Sequence, residues 1–275
     1  MAHLTFNSYG KTRVRLLQVL RDRNRDEVVE LSVKILLQGD FDDSYQTGNN
    51  SAVLPTDTMK NTVYVIARQK PVESIESFAL DLGGHFLKRV RNISNVIVEI
   101  KQTPWSHISE HNGAFVQSAR ERRVTRAQLS RSNISIESGI RYLQILKTSH
   151  SAFTGFMKDE YTTLPEARDR LLGTVLAANW TYSDQALDFN RLHKEIRSRL
   201  LEVFAAHDSF SVQHTLYAMG EAVLATFNSV REIALTMPNK HCLLADLSRF
   251  GLDNPNQVFI PTDEPSGHIE ARLTR

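Results

Sequence analysis

The stretch VVELSVKILL, residues 28–37, alternates apolar and polar side chains along its length. This alternation is typical of a strand that buries one face. The stretch TRVRLLQVL, residues 12–20, has the same character, and the charged segment RDRNRDE separates the two. The pair predicts an antiparallel hairpin near the start of the chain. The apolar face of the second strand consists of Val29, Leu31, Val33, Ile35 and Leu37.

The rest of the first half predicts one helix and further strands. Apolar residues recur at helical spacing after Pro71, which predicts an amphipathic helix over 72–91. Strands are predicted over 62–68, 95–102 and 114–129. The helix positions are Ile75, Phe78, Ala79, Leu82, Phe86, Leu87 and Val90.

The second half repeats this plan. It predicts strands over 138–147, 173–183, 229–237 and 241–249, and helices over 188–206 and 211–227. Hairpin-connected strands with the helices grouped together favour an α+β fold with antiparallel sheets and helices on one face. We therefore expect two similar domains, residues 1–135 and 136–275. No glycine-rich phosphate loop is present in the sequence, which argues against a nucleotide-phosphate fold.

Composition excludes several classes of protein. The 275 residues are 41% hydrophobic and 23% charged, which is typical of a globular protein with a sizeable core. A net charge of +2 predicts no strong attraction to nucleic acid or to a membrane. Cys242 is the single cysteine, so no disulfide framework exists. The first residues lack an apolar signal segment, so we expect a cytoplasmic protein.

Two motifs suggest other chemistries and are better explained as surface features. His107 and His111 in SHISEH have the spacing of two zinc ligands on a helix, but no further ligand stands at a recognisable spacing. ARERRVTR, residues 119–126, is rich in arginine but carries no interleaved aromatic residues, so we expect a solvated face. The sequence therefore predicts neither a metal site nor a nucleic-acid interface.

Several polar residues have ordinary explanations when each is taken alone. VLPTDTMKNTVYVIAR, residues 53–68, is interpreted as a polar turn that leads into the strand over 62–68. Lys11 fits a solvated strand end, Arg170 a surface ion pair and Gln213 the first turn of a helix.

Taken together, long motifs across the chain resemble the urate oxidase family, the cofactor-free uricases. They occur in the order and spacing of that family and are YGK, NNSAVLPTDTMKNTVYV, LKTSHSAFTGFMKDEYTTL, SVQHTLYAM and MPNKH. The resemblance implies two tandem tunnelling-fold (T-fold) domains in each chain. It also implies a homotetramer around a barrel-like central tunnel, with active sites shared between chains.

The resemblance assigns a role in urate binding to several residues. Phe153 is expected to stack on the flat purine, with Leu164 beside the ring. Arg170 and Gln213 are expected to pair with the polar edges of urate. The backbone amides of Asp57 and Val212 complete the substrate contacts that the family pattern implies.

The same resemblance assigns the reaction. Lys11 is expected to act as the base through the Thr56 hydroxyl, and His241 to orient Lys11 and relay the proton. Thr56, in the family's catalytic loop, and Asn239 are expected to hold dioxygen and then water above the purine. The implied reaction oxidises urate with dioxygen as co-substrate, giving 5-hydroxyisourate and hydrogen peroxide without metal or flavin.

Two alternatives remain open. In the first, the chain is another purine- or pterin-handling enzyme of the same fold, although this sequence lacks the zinc ligands that several such relatives use. Otherwise it is a catalytically silent purine-binding protein, although Lys11 and Thr56 are both present. Pro55 is a departure from eukaryotic members. The chain also lacks their peroxisomal tripeptide, which favours a bacterial, cytoplasmic form.

Overall fold

The computed structural model describes residues 2–21, 26–109, 113–117 and 120–275, and for residue 263 the backbone alone. The chain forms two compact units. Unit 1 comprises residues 1–139 and 181–191, and unit 2 comprises residues 140–180 and 192–275. Two elements, β7 (Ile134–Lys147) and β8 (Leu172–Tyr182), begin in one unit and end in the other. The boundary between predicted domains 1–135 and 136–275 stays a prediction.

Unit 1 is built on an antiparallel sheet in the order β1-β2-β3-β6. These strands are β1 (Tyr9–Leu20), β2 (Glu27–Gly39), β3 (Ile93–Thr103) and β6 (Arg122–Ser130). A small separate pair, β4 (Trp105–His107) and β5 (Phe115–Gln117), lies between β3 and β6 in the chain. The first hairpin is confirmed, with Lys11 opposite Ile35 and Val19 opposite Val28. Part of its charged connection, residues 22–25, lies outside the described residues.

Among the residues that the structure describes, three helices belong wholly to unit 1: α1 (Asp42–Gln46), α2 (Thr56–Gln69) and α3 (Ile75–Arg89). Ser74 caps α3 by accepting a hydrogen bond from the Ser77 amide at 3.0 Å, which satisfies one free donor of the first turn. Residues of α2 and α3 pack with the alternating apolar face of β2 in one core. The helix predicted over 72–91 is therefore confirmed, within a few residues at each end.

The predicted strand over 62–68 is wrong, because these residues belong to α2. Met59, Val63 and Ala67 are buried at intervals of four residues, the spacing of one helix face, whereas Val65 is 51% exposed. A short run of β-branched residues fits both periods, and packing against β1 selects the helix. Thr56 and Asp57 consequently lie in the first turn of a helix, not in a turn before a strand.

Unit 2 combines strands β8, β9 (Val230–Thr236), β10 (Asn239–Leu244), β11 (Phe259–Gly267) and β12 (Glu270–Thr274). Strand β10 pairs antiparallel with both β8 and β11, while β9 pairs with β8 and with β12. Helix α4 (Phe189–Ala206) begins in unit 1 and continues in unit 2, and α5 (Val212–Thr226) packs on β9 and β12. Both helices were predicted.

Three further features of the strands differ from the prediction. The strand predicted over 241–249 stops at Leu244, because Asp246 accepts a hydrogen bond from the Ser248 amide and starts a short 3-10 turn, Ser248–Phe250. The strand predicted over 114–129 is divided between β5 and β6. The β11–β12 segment was not predicted. In the part of the chain that the structure describes, no helix is long and apolar enough to cross a membrane.

Candidate active site

Lys11 lies near the start of β1, where the strand packs tightly on its neighbour. A side chain at Gly10 would place its Cβ 1.8 Å from the carbonyl oxygen of Ile35, so only glycine fits there. The register of β1 shifts between Lys11 and Val14, which marks a β-bulge, and Arg13 adopts a φ of 57° in it. The half-buried Lys11 is thus the last paired residue before the irregularity.

Thr56 and Asp57 open α2 directly after Pro55, whose φ of −56° and ψ of 139° turn the chain into the helix. The exposed carboxylate of Asp57 pairs with Lys60 Nζ at 2.5 Å and accepts a hydrogen bond from Asn61 at 3.0 Å. Lys60 holds the pKa of the Asp57 carboxyl below its usual range, and Asn61 and the positive charge of Lys11 act in the same direction. The charges of Lys11 and Asp57 therefore attract each other.

Phe153 and Arg170 are brought together by backbone pairing. The Phe153 amide donates to the Ala167 carbonyl at 2.7 Å, and the Ala167 amide donates back at 3.0 Å. The Arg170 amide donates to the Ser151 carbonyl at 2.8 Å. As a result, the guanidinium of Arg170 lies over the Phe153 ring, 5.0 Å from its centroid. Burial lowers the pKa of Arg170 from its ordinary value.

The loop between these pairing points carries Leu164. The ends of this loop, residues 153–167, are joined by the Phe153–Ala167 hydrogen bonds. Leu164 is 55% exposed, so its predicted place beside a ligand is open to solvent in the single chain. Within the same loop, Phe156 stacks on Phe153 with centroids 4.8 Å apart and an interplanar angle of 12°.

Val212 and Gln213 form the first turn of α5. Ser211 caps this helix, accepting a hydrogen bond from the His214 amide at 3.1 Å. The residues just before α5 are connected to the Phe153 segment, because the Ala152 amide donates to the Ser209 carbonyl at 2.7 Å. Val212 is buried and Gln213 is exposed, so the helix presents the amide side chain to solvent.

Asn239 and His241 occupy the start of β10. Asn239 pairs with Thr174 of β8, four residues beyond Arg170 in the chain. The side-chain nitrogen Nδ2 of Asn239 lies 3.4 Å from Nδ1 of His241. Asn239 is thereby paired with the strand that begins two residues after Arg170, and His241 follows on the same strand β10.

The predicted site residues therefore fall into two sets. Lys11, Thr56 and Asp57 belong to unit 1, and the second set belongs to unit 2. The unit 2 set is joined by hydrogen bonds that connect the 150–153 segment, the residues 167–170, the start of α5 and the β8–β10 pair. It comprises Phe153, Leu164, Arg170, Val212, Gln213, Asn239 and His241.

The described residues contain no group of three or more His, Cys, Asp or Glu side chains placed to hold a metal ion. His107 lies at the end of β4 with its ring 4.6 Å from that of Phe115, while His111 lies outside the described residues. The side chain of His107 is only 13% exposed, so its interpretation as a surface residue is wrong, and the interpretation of His111 stays a prediction.

The uricase family model matches residues 7–128 and 136–270 of this chain. The chain belongs to the uricase family. It is 41% identical to the uricase of Arthrobacter globiformis, over 98% of this chain and 89% of that protein. It is 38% identical to the uricase of Dictyostelium discoideum, over 100% of this chain and 98% of that protein.

The structure agrees with a solved uricase over the whole chain. A crystal structure of Arthrobacter globiformis uricase matches with a TM-score of 0.97 and 40% identity, covering 100% of this chain and 96% of that chain. These likenesses confirm the predicted family, the α+β tunnelling fold of the chain and its class as a urate oxidase. The roles of individual residues remain predictions.

Three contacts made by residues close to the predicted site residues along the chain were not predicted from the sequence. Phe156 lies inside the quoted motif, where two phenylalanines three residues apart could have indicated a stacked pair. Tyr9 belongs to the YGK motif, and its hydroxyl accepts a hydrogen bond from the Leu54 amide at 2.9 Å. His207 Nε2 lies 3.1 Å from His214 Nδ1, a contact between separate elements that no local pattern indicates.

Proposed function

We propose that this uricase oxidises urate with dioxygen at a site that is built from both residue sets and uses no metal or organic cofactor. The observation that carries the proposal is the pair formed by Arg170 and Phe153. The aromatic face of Phe153, the adjacent cation of Arg170 and the amide side chain of Gln213 suit one kind of ligand, a flat anion with polar edges.

The chemistry of Arg170 supports a bound anion. Its Nε is buried, and among the described residues it has no hydrogen-bond partner. A buried donor that lacks a partner costs free energy, and a urate carbonyl or deprotonated ring nitrogen would satisfy it. Because the guanidinium presents parallel N–H groups, it pairs with two acceptors on one edge of the purine.

The remaining substrate contacts follow from the first turns of two helices. Gln213 offers a donor and an acceptor to the adjacent C=O and N–H groups of the six-membered ring. The free amides at the start of α2 and α5 include those of Asp57 and Val212, and such amides bind negative charge. Leu164 covers the apolar edge of the ring.

Lys11 and Thr56 supply the base. Lys11 takes a proton from urate through the Thr56 hydroxyl, and His241 orients Lys11 and relays that proton. The deprotonated purine is the reductant and transfers an electron pair to dioxygen, held by Thr56 and Asn239. Water adds to C5, hydrogen peroxide leaves, and urate, dioxygen and water thereby balance with 5-hydroxyisourate and peroxide.

The division of the residues between two units supports a shared site. Unit 1 of one protomer supplies Lys11, Thr56 and Asp57, and unit 2 of its partner supplies the others. Two such sites are formed by each two-fold pair. We further propose a homotetramer around a central tunnel, located in the cytoplasm.

The test follows the near-ultraviolet absorbance of urate in air with the purified protein. We expect urate loss with an equivalent amount of peroxide, unchanged after dialysis against EDTA. Lys11→Met should lower kcat by about 10²–10⁴-fold while urate still binds. Loss of turnover after chelation, restored by one specific metal, would refute the cofactor-free reaction, and binding without turnover would indicate a silent purine-binding protein.

A further inference from the structure

Lys11 and Thr56 must come within reach of each other in the proposed mechanism. The two residues lie on different elements, β1 and α2, with a long connection between them. Proton transfer between their side chains requires hydrogen-bond reach, so a small shift of either element interrupts it. Some feature of the fold must hold Thr56 at a fixed distance from the strand.

Tyr9 makes a hydrogen bond between these two parts of the chain. Its hydroxyl accepts a hydrogen bond from the Leu54 amide at 2.9 Å. Tyr9 precedes Lys11 by two residues, and Leu54 precedes Thr56 by two residues. Between Leu54 and Thr56 stands Pro55, which fixes its own φ and so limits the freedom of the link.

The ring of Tyr9 is itself held in place. It meets Phe41 edge to face, with centroids 4.7 Å apart and an interplanar angle of 88°. Phe41 is 1% exposed and belongs to the unit 1 core, against which Leu54 also packs. Burial raises the pKa of the Tyr9 hydroxyl above its ordinary value, so this group stays protonated at neutral pH.

We propose that Tyr9 is a positioning residue of the urate oxidase reaction, which sets the distance between Lys11 and Thr56 through its hydrogen bond to Leu54. This inference rests on the proposed roles of Lys11 and Thr56. Tyr9 acts through these residues and does not itself touch urate.

A second tyrosine provides a matched control. The Tyr64 hydroxyl, on α2, donates to the carbonyl oxygen of Arg15 on β1 at 3.2 Å. Tyr64→Phe therefore removes the same atom and one bond between α2 and β1, four residues beyond Lys11 on the strand, whereas the Tyr9 bond joins β1 to the residues just before α2. A role in stability alone predicts that Tyr9→Phe, like Tyr64→Phe, changes Tm and leaves kcat near the wild-type value.

The experiment measures kcat, KM for urate and Tm for both variants. We expect Tyr9→Phe to lower kcat about tenfold, because the Leu54 amide loses its partner and Thr56 shifts, with a smaller change in KM. Tyr64→Phe should keep kcat within about twofold of the wild-type value, since it leaves this link intact. An unchanged kcat for Tyr9→Phe, or equal losses in both variants, would overturn the proposal.

A third measurement separates this inference from the proposed function. In a Lys11→Met background, Tyr9→Phe should lower the residual turnover by much less than tenfold, because the distance from Thr56 to the missing base no longer matters. If Lys11→Met alone keeps normal kcat, the base assignment fails, and with it any action of Tyr9 through Lys11. If Lys11→Met is impaired and the added Tyr9→Phe costs another tenfold, only the Tyr9 inference fails.

Should Tyr9→Phe not fold, Phe41→Leu gives a second test, because it loosens the ring that supports Tyr9 and keeps the hydroxyl. The same pattern is expected, with a larger loss in kcat than in KM. An unchanged kcat in folded Phe41→Leu protein would contradict the proposal.

Discussion

The guanidinium of Arg170 lies over the face of Phe153, 5.0 Å from the centroid of the ring, and both residues are held by hydrogen bonds of their own backbone groups. A cation above an aromatic face gains from the ring quadrupole, and an Arg fork in this place still has free donors for a ligand. The pair thus offers stacking and charge to the same bound anion.

The first prediction concerns the fork of Arg170. Arg170→Lys keeps the charge but loses the parallel N–H groups, so KM for urate should rise about 10- to 100-fold, with a smaller change in kcat. Arg168→Lys, at an exposed position in the same segment, is the matched control and should leave KM near the wild-type value. Steady-state kinetics checks both, and equal KM values in the two variants would contradict the assignment of Arg170.

The second prediction concerns Phe156, whose ring stacks on that of Phe153. Phe156 stacks on Phe153 at 4.8 Å, and Lys158 Nζ lies 5.5 Å from the Phe156 centroid while pairing with Glu166 at 3.1 Å. Phe156→Leu removes the flat partner, so the Phe153 ring loses its fixed plane, and KM should rise about two- to tenfold.

Two control variants test the shape requirement at this position. Phe156→Tyr keeps the aromatic plane and should retain the wild-type KM. Phe250→Leu, an exposed phenylalanine of the 3-10 turn, should have no effect on KM. A normal KM in Phe156→Leu would show that Phe153 orients urate without this support.

The strand pairs of unit 1 could be predicted from the sequence because their burial follows a simple period. In β2, Leu31, Val33, Ile35 and Leu37 are buried in alternation, and the helix α3 carries its own cap at Ser74. The α2 helix could not be predicted in the same way. Its window around Val63 fits both periods, and only tertiary packing on β1 distinguishes them.

The candidate site was reached from long composite motifs and not from local chemistry. In the sequence, Lys11 and Gln213 each fit an ordinary surface position, because neither belongs to a metal-ligand or nucleophile motif. Contacts such as Tyr9 with Leu54 join residues 45 positions apart in the chain, so no local pattern reveals them. Side-chain roles that depend on long-range hydrogen bonds require the structure.

The third prediction concerns a buried charge in unit 1. Glu76 is 0% exposed, pairs with Arg123 at 2.6 Å and accepts a hydrogen bond from Ser138 at 2.5 Å. Glu76→Gln leaves the guanidinium of Arg123, which is 14% exposed, without its counter-charge, and this should lower the free energy of unfolding by about 3 kcal/mol. Glu73→Gln, at an exposed position nearby, should change it by less than about 0.5 kcal/mol.

Urea denaturation of the two glutamine variants at matched protein concentration checks this prediction, since assembly adds to apparent stability. Similar midpoints for both would mean that the buried pair contributes little.

The fourth prediction is a pH dependence of stability. Burial, then the neighbouring His214 and Lys147, lowers the pKa of His207, with Asp208 opposing them. The unfolded chain, in which His has a pKa of about 6.5, therefore binds a proton before the folded chain does. Stability is unaffected by this group above that pH and falls as pH drops below it.

His207→Gln removes this titration and should flatten the loss of Tm between about pH 7 and pH 5.5. Ala206→Gln places the same amide side chain on the adjacent exposed position and should keep the wild-type slope. Thermal unfolding across this range checks both variants. A wild-type slope in His207→Gln would assign the acid sensitivity to other groups.

The last prediction tests whether sites are shared between protomers. Thr56 belongs to unit 1 and Arg170 to unit 2, and each is assigned to a different protomer of one site. Thr56→Ala chains and Arg170→Ala chains should each be inactive alone. When they are co-expressed, one site of a mixed pair collects both defects and the other collects neither. With random pairing half of the pairs are mixed, so about a quarter of all sites should be intact. Differently tagged chains, purified through both tags in sequence, isolate the mixed oligomers for assay, and the intact fraction there should exceed this quarter because unmixed oligomers are removed. Activity no higher than that of either mutant, in oligomers shown to contain both chains, would place all the residues of a site within one chain.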